Sequence, residues 1–426
     1  MRAVVYTPQL QGTVHVPPSK SFMQRVCALA LLNRGTTIIR NPGISNDDKA
    51  ALNIIRSLGA RIIERVNENT IWIESDGLVN PGGLLHAGES GLAARMFIPL
   101  AALSTREITI TGEGTLLKRS MHWFDDVLPS LGVEVISAGG MLPFRVKGPL
   151  IPKNITVDAA QSSQYISGLM MAMGYAATKP VTLRLYHIVS FPYLNLTIRL
   201  MKHFGYTLDW NGSDEVVIHP HKHNSEIINI EVDVEGDWSA AAALLVAGAV
   251  GGRVSLTGLT YPSLQGDAAI MEVLKNSGAQ VDIMPDQITV TQSPSLTAFN
   301  YHAEHTPDLF PVLSVLALYA RGTSTISGVS RLWNKESNRA HAVIELIKAL
   351  GGSVEIHGDV MHIHGPVRAE EVHVHSFNDH RMVMAAAVAT AGSAFRITID
   401  DAEAINKSYP DFFKDISKLG AQVSLT

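Results

Sequence analysis

Five stretches of this sequence put cations or hydrogen-bond donors where apolar or amphipathic helices begin. In VPPSKSFMQRVCALALL, Lys20 and Ser21 stand at the start, and Arg25 follows four residues after Ser21 on the same helical face. In DAAQSSQYISGLMMAMGYAA, Ser162, Ser163 and Gln164 supply uncharged donors before a long apolar helix. In SRLWNKESNRAHAVIELIKAL, Lys335, Glu336 and Arg339 open an amphipathic helix. In SFNDHRMVMAAAVATA, Asn378 and Asp379 can cap, and His380 and Arg381 enter an almost wholly apolar helix. In EAINKSYPDFF, Lys407 stands just before a Pro-Asp helix start. The first turn of a helix exposes N–H groups and favours negative charge, so such starts can hold anions. An arginine among apolar residues must find an anion or water.

Each stretch also has an ordinary reading. Ser21 can simply cap the first helix, with Lys20 and Arg25 solvated, and the Ser162 stretch can be a serine cap. Glu336 complements a helix dipole, or pairs with Arg339 on the surface. A sixth stretch, GESGLAARMFIPLAAL, sets Glu89 at a glycine turn and Arg95 inside an apolar run, where Arg95 lines a site or pairs with a buried acid. Taken together, the stretches call for a small ligand with several negative charges.

Other classes are disfavoured. There is no GxxxxGK[ST], and no GxGxxG after a strand. The 17 histidines include HxH in HIH and HVH, expected along edge strands without acidic partners and so structural rather than metal-binding. Cys27 is the one cysteine, which excludes an intramolecular disulfide, and its neighbours Val26, Ala28 and Leu29 make it core rather than nucleophile. A net charge of −5 and a pI near 6.4 show no basic surplus for nucleic acid or a membrane surface. With 46% hydrophobic and 17% charged residues the chain reads as globular. No signal-peptide pattern and no apolar window long enough for a membrane span occur, so a cytoplasmic protein is expected.

A recurring unit must position these residues. It runs amphipathic helix, glycine, strand, turn and often a second strand, and it occurs at six places, from ALNIIRSLGARIIERVNENTIWIES to the last, FFKDISKLGAQVSLT. Three copies precede about Pro220 and three follow about Ile230, which predicts two similar α/β domains of 426 residues in all. The expected division is 14–230 for one, and 1–13 plus 231–426 for the other, with crossings near residues 10–20 and 225–235 and closure over a cleft. The last copy stops after QVSLT, so the N-terminal strand RAVVY is expected to complete it.

In order along the chain stand PPSKSFMQR, SSQY, SFPY, VEGDWSAAA, LQGD, TPDLFPVLSVLALYARGTSTI, KESNR, NDHRM and KSYPDFF. This ordered set resembles the 3-phosphoshikimate 1-carboxyvinyltransferase (EPSP synthase) family. The resemblance implies an α/β (α+β) fold of two similar domains, each of three βαβαββ-type repeats, the inside-out α/β barrel of the enolpyruvyl transferases. It implies transfer of the enolpyruvyl group of phosphoenolpyruvate to the 5-hydroxyl of shikimate 3-phosphate, through a tetrahedral intermediate, with no metal or cofactor. A monomer acting on these two small molecules, without nucleic acid or membrane, is expected.

By the same resemblance, Asp308, Glu336 and Lys20 are catalytic. Asp308 accepts the hydroxyl proton, and Glu336, beside Lys335, serves the methylene carbon. Shikimate 3-phosphate is assigned to Lys20, Ser21, Arg25, Ser162, Ser163, Gln164, Ser190, Tyr193, Asp308 and Lys335, with Arg25 on its carboxylate and the three serines at 162, 163 and 190 on its phosphate. Phosphoenolpyruvate is assigned to Lys20, Gly91, Arg119, Gln164, Arg339, Arg381 and Lys407, with Arg339 and Arg381 clamping its carboxylate. Glu89 is expected to pair with Lys20, Arg119 or Lys407. The family often has Asn, Thr, Pro and Asn where Glu89, Leu92, Met96 and Arg331 stand here. The alternatives are a UDP-N-acetylglucosamine enolpyruvyl transferase, whose reactive cysteine lies elsewhere than Cys27, and a catalytically silent binding relative on the same fold.

Overall fold

A computed structural model describes residues 1–221, 227–293, 295–393 and 395–426. They form two compact units, 18–234 and 1–17 with 235–426. The signature of the repeat is its glycine. Gly59, Gly132, Gly205, Gly278, Gly351 and Gly420 each follow an amphipathic helix with φ between 80° and 112°. L side chains rarely adopt that conformation, so glycine ends the helix and turns the chain into the next strand.

Each unit contains three four-stranded sheets built on one plan. In one of them Gly83–His86 runs parallel to Ile108–Thr111, which pairs antiparallel with Phe144–Lys147, itself antiparallel to Glu134–Ile136. The helices Gly91–Ala101 and Trp123–Ser130 connect these strands, giving β-α-β-α-β-β. The first helix of each repeat is apolar and buried. In one unit, helix Gly91–Ala101 packs on Lys20–Leu32 and on Ser163–Ala176. In the other, Trp238–Gly251, Phe310–Tyr319 and His380–Ala389 pack on one another, and every residue of Trp238–Gly251 is buried. Burying a Leu or Val side chain stabilises by about 1.5–3 kcal/mol, so these helices dominate the core.

The units divide four residues later than the repeat count implies. Strand Leu10–His15 runs parallel to Gly252–Thr257 and belongs with 235–426, whereas Ile230–Asp233 runs parallel to Arg34–Arg40 and belongs with 18–234. The boundaries are therefore 17/18 and 234/235 rather than 13/14 and 230/231. Each such strand opens a repeat whose remainder lies far away in sequence, so no helix beside it marks its membership. The crossing expected near 225–235 falls partly on residues outside those described. Strand Arg2–Tyr6 lies between Arg396–Asp400 and Gln422–Leu425, antiparallel to both.

The histidine pairs differ from expectation. HIH lies on Val360–His364, an inner strand of its sheet. HVH does lie on an edge strand, Glu371–His375, but has an acidic partner: Asp400 Oδ2 is 2.7 Å from His373 Nε2 and 3.6 Å from His375 Nδ1. Among the described residues no group of three or more His, Cys, Asp or Glu is arranged to hold a metal. Cys27 is buried. No described helix is long and apolar enough to cross a membrane.

Candidate active site

In the unit 18–234, helix Lys20–Leu32 is capped by Ser19, whose hydroxyl accepts from Phe22 N at 3.4 Å. Ser21 is not the cap, because the helix already begins at Lys20. The Lys20 ammonium lies 3.0 Å from Asp47 Oδ2, in the first turn of helix Asn46–Ser57. Arg25 is buried. Its Nε donates to Thr197 Oγ1 at 2.8 Å, Nη1 to the Ser21 carbonyl at 2.7 Å, and Nη2 to Ser167 Oγ at 3.3 Å. The Tyr193 ring centroid stands 5.7 Å from its guanidinium carbon. Burial pushes the Arg25 pKa down to about 10.

Ser162 caps helix Ser163–Ala176 by accepting from Gln164 N at 3.2 Å. The Gln164 carbonyl accepts from Arg95 Nη1 at 2.9 Å, and the Tyr165 ring lies 5.4 Å from the same guanidinium. Arg95 therefore meets an amide and a ring rather than a buried acid. A β-carbon built on Gly91 would lie 2.8 Å from Arg119 Nη1 and 3.3 Å from Arg95 Nη1. Two guanidinium groups thus converge on the start of helix Gly91–Ala101, whose cap is Ser90. Positive charge and the N–H groups of a helix start at one point favour an anion. Glu89 Oε2 accepts from Thr115 N at 3.3 Å and from its hydroxyl at 3.5 Å, while Arg119 Nη2 donates to that hydroxyl at 3.2 Å. Glu89 and Arg119 are thereby tied through Thr115. Ser190, with φ 52°, precedes helix Phe191–His203 and accepts from Tyr193 N at 3.0 Å.

In the unit 1–17 with 235–426, Arg339 is the centre of an ionic cluster. Helix Arg339–Ala349 starts at Arg339 itself, with Asn338 as cap. Lys335 and Glu336 therefore precede the helix instead of forming its first turn. Arg339 is 0% exposed, so its pairing with Glu336 is not a surface ion pair. Its Nη1 donates to Asp308 Oδ1 at 2.7 Å, Nη2 to Glu336 Oε2 at 2.6 Å and Asp379 Oδ1 at 3.3 Å, and Nε to Asp379 Oδ2 at 2.9 Å. Asp379 also caps helix His380–Ala389 by accepting from Arg381 N at 2.9 Å.

Arg381 Nη2 reaches Asp308 Oδ2 at 3.5 Å, and its Nε and Nη1 meet no acceptor among the described residues. Lys335 Nζ lies 3.9 Å from Asp308 Oδ1. Lys407 ends the short helix Ala402–Lys407 and donates to the Asn378 carbonyl at 2.7 Å.

Charge balance sets the protonation states. Burial would raise the Asp308 carboxyl, but Lys335, Arg381 and Arg339 outweigh it and hold the group well below the usual carboxylate range. Burial pushes Lys335 down to about 8. Asp267, in LQGD, is fully buried; burial and the charge of Asp308 push it up to about 7 against the pull of Arg381. An ionised carboxylate ringed by cations can take a proton from a hydroxyl, and the cations can hold anionic reactants.

The geometry brings Asp308, Lys335, Glu336, Arg339 and Arg381 together in one unit, and Gly91, Arg119 and Gln164 together in the other. Sequence reasoning missed Asp47, Ser167, Thr197 and Asp267 as supports, and read Asp379 only as a cap. Their one signal was polarity inside apolar helical runs or at helix starts.

The EPSP synthase (3-phosphoshikimate 1-carboxyvinyltransferase) family model matches residues 5–416. The chain is 33% identical to the 3-phosphoshikimate 1-carboxyvinyltransferase of Methanocorpusculum labreanum, covering 99% of each chain. It is 34% identical to that of Pyrococcus abyssi, covering 96% of this chain and 95% of the other. Among solved structures, EPSP synthase from Acinetobacter baumannii aligns with TM-score 0.81 at 23% identity over 100% of both chains. The enolpyruvyl transferase NikO from Streptomyces tendae aligns with TM-score 0.79 at 18% identity, over 100% of this chain and 98% of that one. These two likenesses concern the fold.

Proposed function

The chain belongs to the EPSP synthase (3-phosphoshikimate 1-carboxyvinyltransferase) family, and on that premise we propose that it transfers the enolpyruvyl group of phosphoenolpyruvate to the 5-hydroxyl of shikimate 3-phosphate. The observation that carries this reading is Asp308, kept ionised by Lys335, Arg381 and Arg339 against its own burial. In the proposed first step the hydroxyl oxygen bonds to C2 of phosphoenolpyruvate, its proton passes to Asp308, and the methylene carbon gains a proton from Glu336, which takes that proton from solvent once donor binding releases it from Arg339. In the second step the new methyl group returns a proton to Glu336 as the C2–O bond to phosphate breaks, and the departing phosphate takes up the proton held by Asp308.

The assignment of residues follows the family resemblance. Arg25, Ser21, Ser162, Ser163, Ser190, Tyr193 and Lys335 hold shikimate 3-phosphate. Lys20, Arg119 and Lys407 take the phosphate of phosphoenolpyruvate, with Gly91 allowing close backbone approach and Gln164 beside it. Arg339 and Arg381 take its carboxylate, for which Arg381 Nε and Nη1 stand ready. That carboxylate competes with Asp308 and Glu336 for the Arg339 guanidinium, so donor binding releases both acids for proton transfer.

UDP-N-acetylglucosamine is disfavoured as acceptor, since the relatives from Methanocorpusculum labreanum and Pyrococcus abyssi bear the shikimate name and Cys27 is buried with its thiol pushed up by desolvation. We read the protein as cytoplasmic, because phosphorylated substrates do not cross membranes unaided, and as a monomer by the family resemblance; sedimentation checks its size. The test of function is phosphate release from phosphoenolpyruvate. Release that requires shikimate 3-phosphate supports the reading; release with UDP-N-acetylglucosamine instead, or with neither, rejects it.

A further inference from the structure

Arg25 and Arg339 are both buried arginines, yet they are held in opposite ways. Arg339 is surrounded by three carboxylates, those of Asp308, Glu336 and Asp379. Arg25 has no carboxylate partner among the described residues; its acceptors are two hydroxyls and a backbone carbonyl. Leaving a buried cation without a counter-ion costs stability, so an arrangement that does so calls for an explanation.

The hydroxyl geometry supplies one. A hydroxyl has one proton and two lone pairs. Thr197 Oγ1 donates to the Tyr193 carbonyl four residues back at 2.8 Å, and Ser167 Oγ donates to the Ser163 carbonyl four residues back at 2.9 Å. Both protons are thus directed to the hydroxyls' own helices. Lone pairs remain facing Arg25; the two oxygens lie 2.8 Å apart, and a hydroxyl that turns its proton to its neighbour instead still keeps a lone pair for the guanidinium. Helices Ser163–Ala176 and Phe191–His203 each contribute one hydroxyl. We propose that Ser167 and Thr197 form a neutral hydroxyl cradle that positions Arg25 while leaving its charge uncompensated for the carboxylate of the acceptor substrate.

A guanidinium carries five N–H groups. Three are bonded here, to Thr197, Ser21 and Ser167, so two remain, as many as a bidentate carboxylate uses. A carboxylate in place of either hydroxyl would fix Arg25 as well but would spend its charge. Ser167 and Thr197 are positioning residues, since they act through Arg25. The same two carbonyls belong to Ser163 and Tyr193, themselves assigned to the acceptor, so the cradle also links those residues to Arg25.

The inference rests on Arg25 binding shikimate 3-phosphate, and the experiment separates the two claims. The Kd for shikimate 3-phosphate is measured by calorimetry alongside both KM values and kcat. Thr197→Val is expected to raise that Kd roughly tenfold, the scale of one lost hydrogen bond to a charged group, with kcat and the KM for phosphoenolpyruvate within about twofold. Ser167→Ala acts in the same direction and serves if Thr197→Val does not fold. Thr197→Ser restores binding. In the double variant, Thr197→Val adds nothing to Arg25→Ala. An additive double variant, or a loss shared equally by both substrates, overturns the cradle while leaving the role of Arg25 standing. An unchanged Kd in Arg25→Ala overturns that role and the cradle with it.

Discussion

Arg339 donates from Nη1 to Asp308 Oδ1 across 2.7 Å, inside the protein and beside two further cations. This pairing keeps a part-buried carboxylate ionised until substrate arrives. Asp308→Asn keeps the shape and removes the base, so kcat is expected to fall about 10²–10⁴-fold. Steady-state kinetics on folded variant, checked by circular dichroism, measures this. A fall under tenfold would remove Asp308 from the proposed role.

The Asp308 carboxyl also links stability to acid pH. Its folded pKa lies below the ordinary value near 4, so its stabilisation is complete above about pH 4 and is lost as pH falls through the lower native value. Asp267 has the opposite sign. Its folded pKa is raised to about 7, so the native state binds more protons than the unfolded state between about pH 4 and 7, and stability declines as pH rises across that window. Asp267→Asn should flatten the decline in denaturant midpoints measured from pH 4.5 to 7.5. An unaltered slope would show that Asp267 titrates normally. The groups acting on it are Asp308, Arg381, Asp237 and the Ser239 hydroxyl.

Lys335 sets a basic limb. Burial lowers it to about 8, so it loses charge as pH rises through that value and its pull on Asp308 weakens. The pH profile of kcat/KM for shikimate 3-phosphate should fall above about 8. Lys335→Arg should move the fall upward by more than one pH unit, because an arginine stays charged. A fall at the same pH in both proteins would assign it to another group.

Gly91 is predicted to control donor access. A β-carbon there would press on Arg119 Nη1 and Arg95 Nη1, both ends of flexible side chains, so Gly91→Ala should fold but displace them. The KM for phosphoenolpyruvate should rise roughly tenfold, the scale of one weakened charged hydrogen bond, with the shikimate 3-phosphate Kd unchanged. Glu89→Ala, which frees Thr115 from one side, should act in the same direction. Equal losses for both substrates would reduce Glu89 and Gly91 to supports of the loop.

The repeats were legible because each ends on a glycine with alternating residues after it, and periodicity reads such patterns directly. The charged helix starts were legible because an arginine such as Arg381 has no business in an apolar run without a partner. What was not legible were partners far away in sequence. The parallel strands Leu10–His15 and Ile230–Asp233 belong to repeats whose other strands lie some 240 and 190 residues away, as in Leu10 with Gly252 and Ile230 with Thr37. Nothing local marks that. Asp379 was visible as a cap, but its second duty, bonding Arg339 forty residues back, depends on the fold. Thr197 and Ser167 bond Arg25 across 172 and 142 residues of sequence, which no local pattern marks. The acid beside HVH, Asp400, comes from a neighbouring strand, so the local pattern does not show it.

The central claim is enolpyruvyl transfer to shikimate 3-phosphate by addition and elimination. The most direct test is mass spectrometry of that substrate after incubation with the protein and phosphoenolpyruvate in deuterium oxide. The account predicts the mass gain of one carboxyvinyl group replacing the hydroxyl hydrogen, with solvent deuterium entering the methylene of that group. Unmodified shikimate 3-phosphate, at protein and substrate concentrations where both substrates bind, would contradict it.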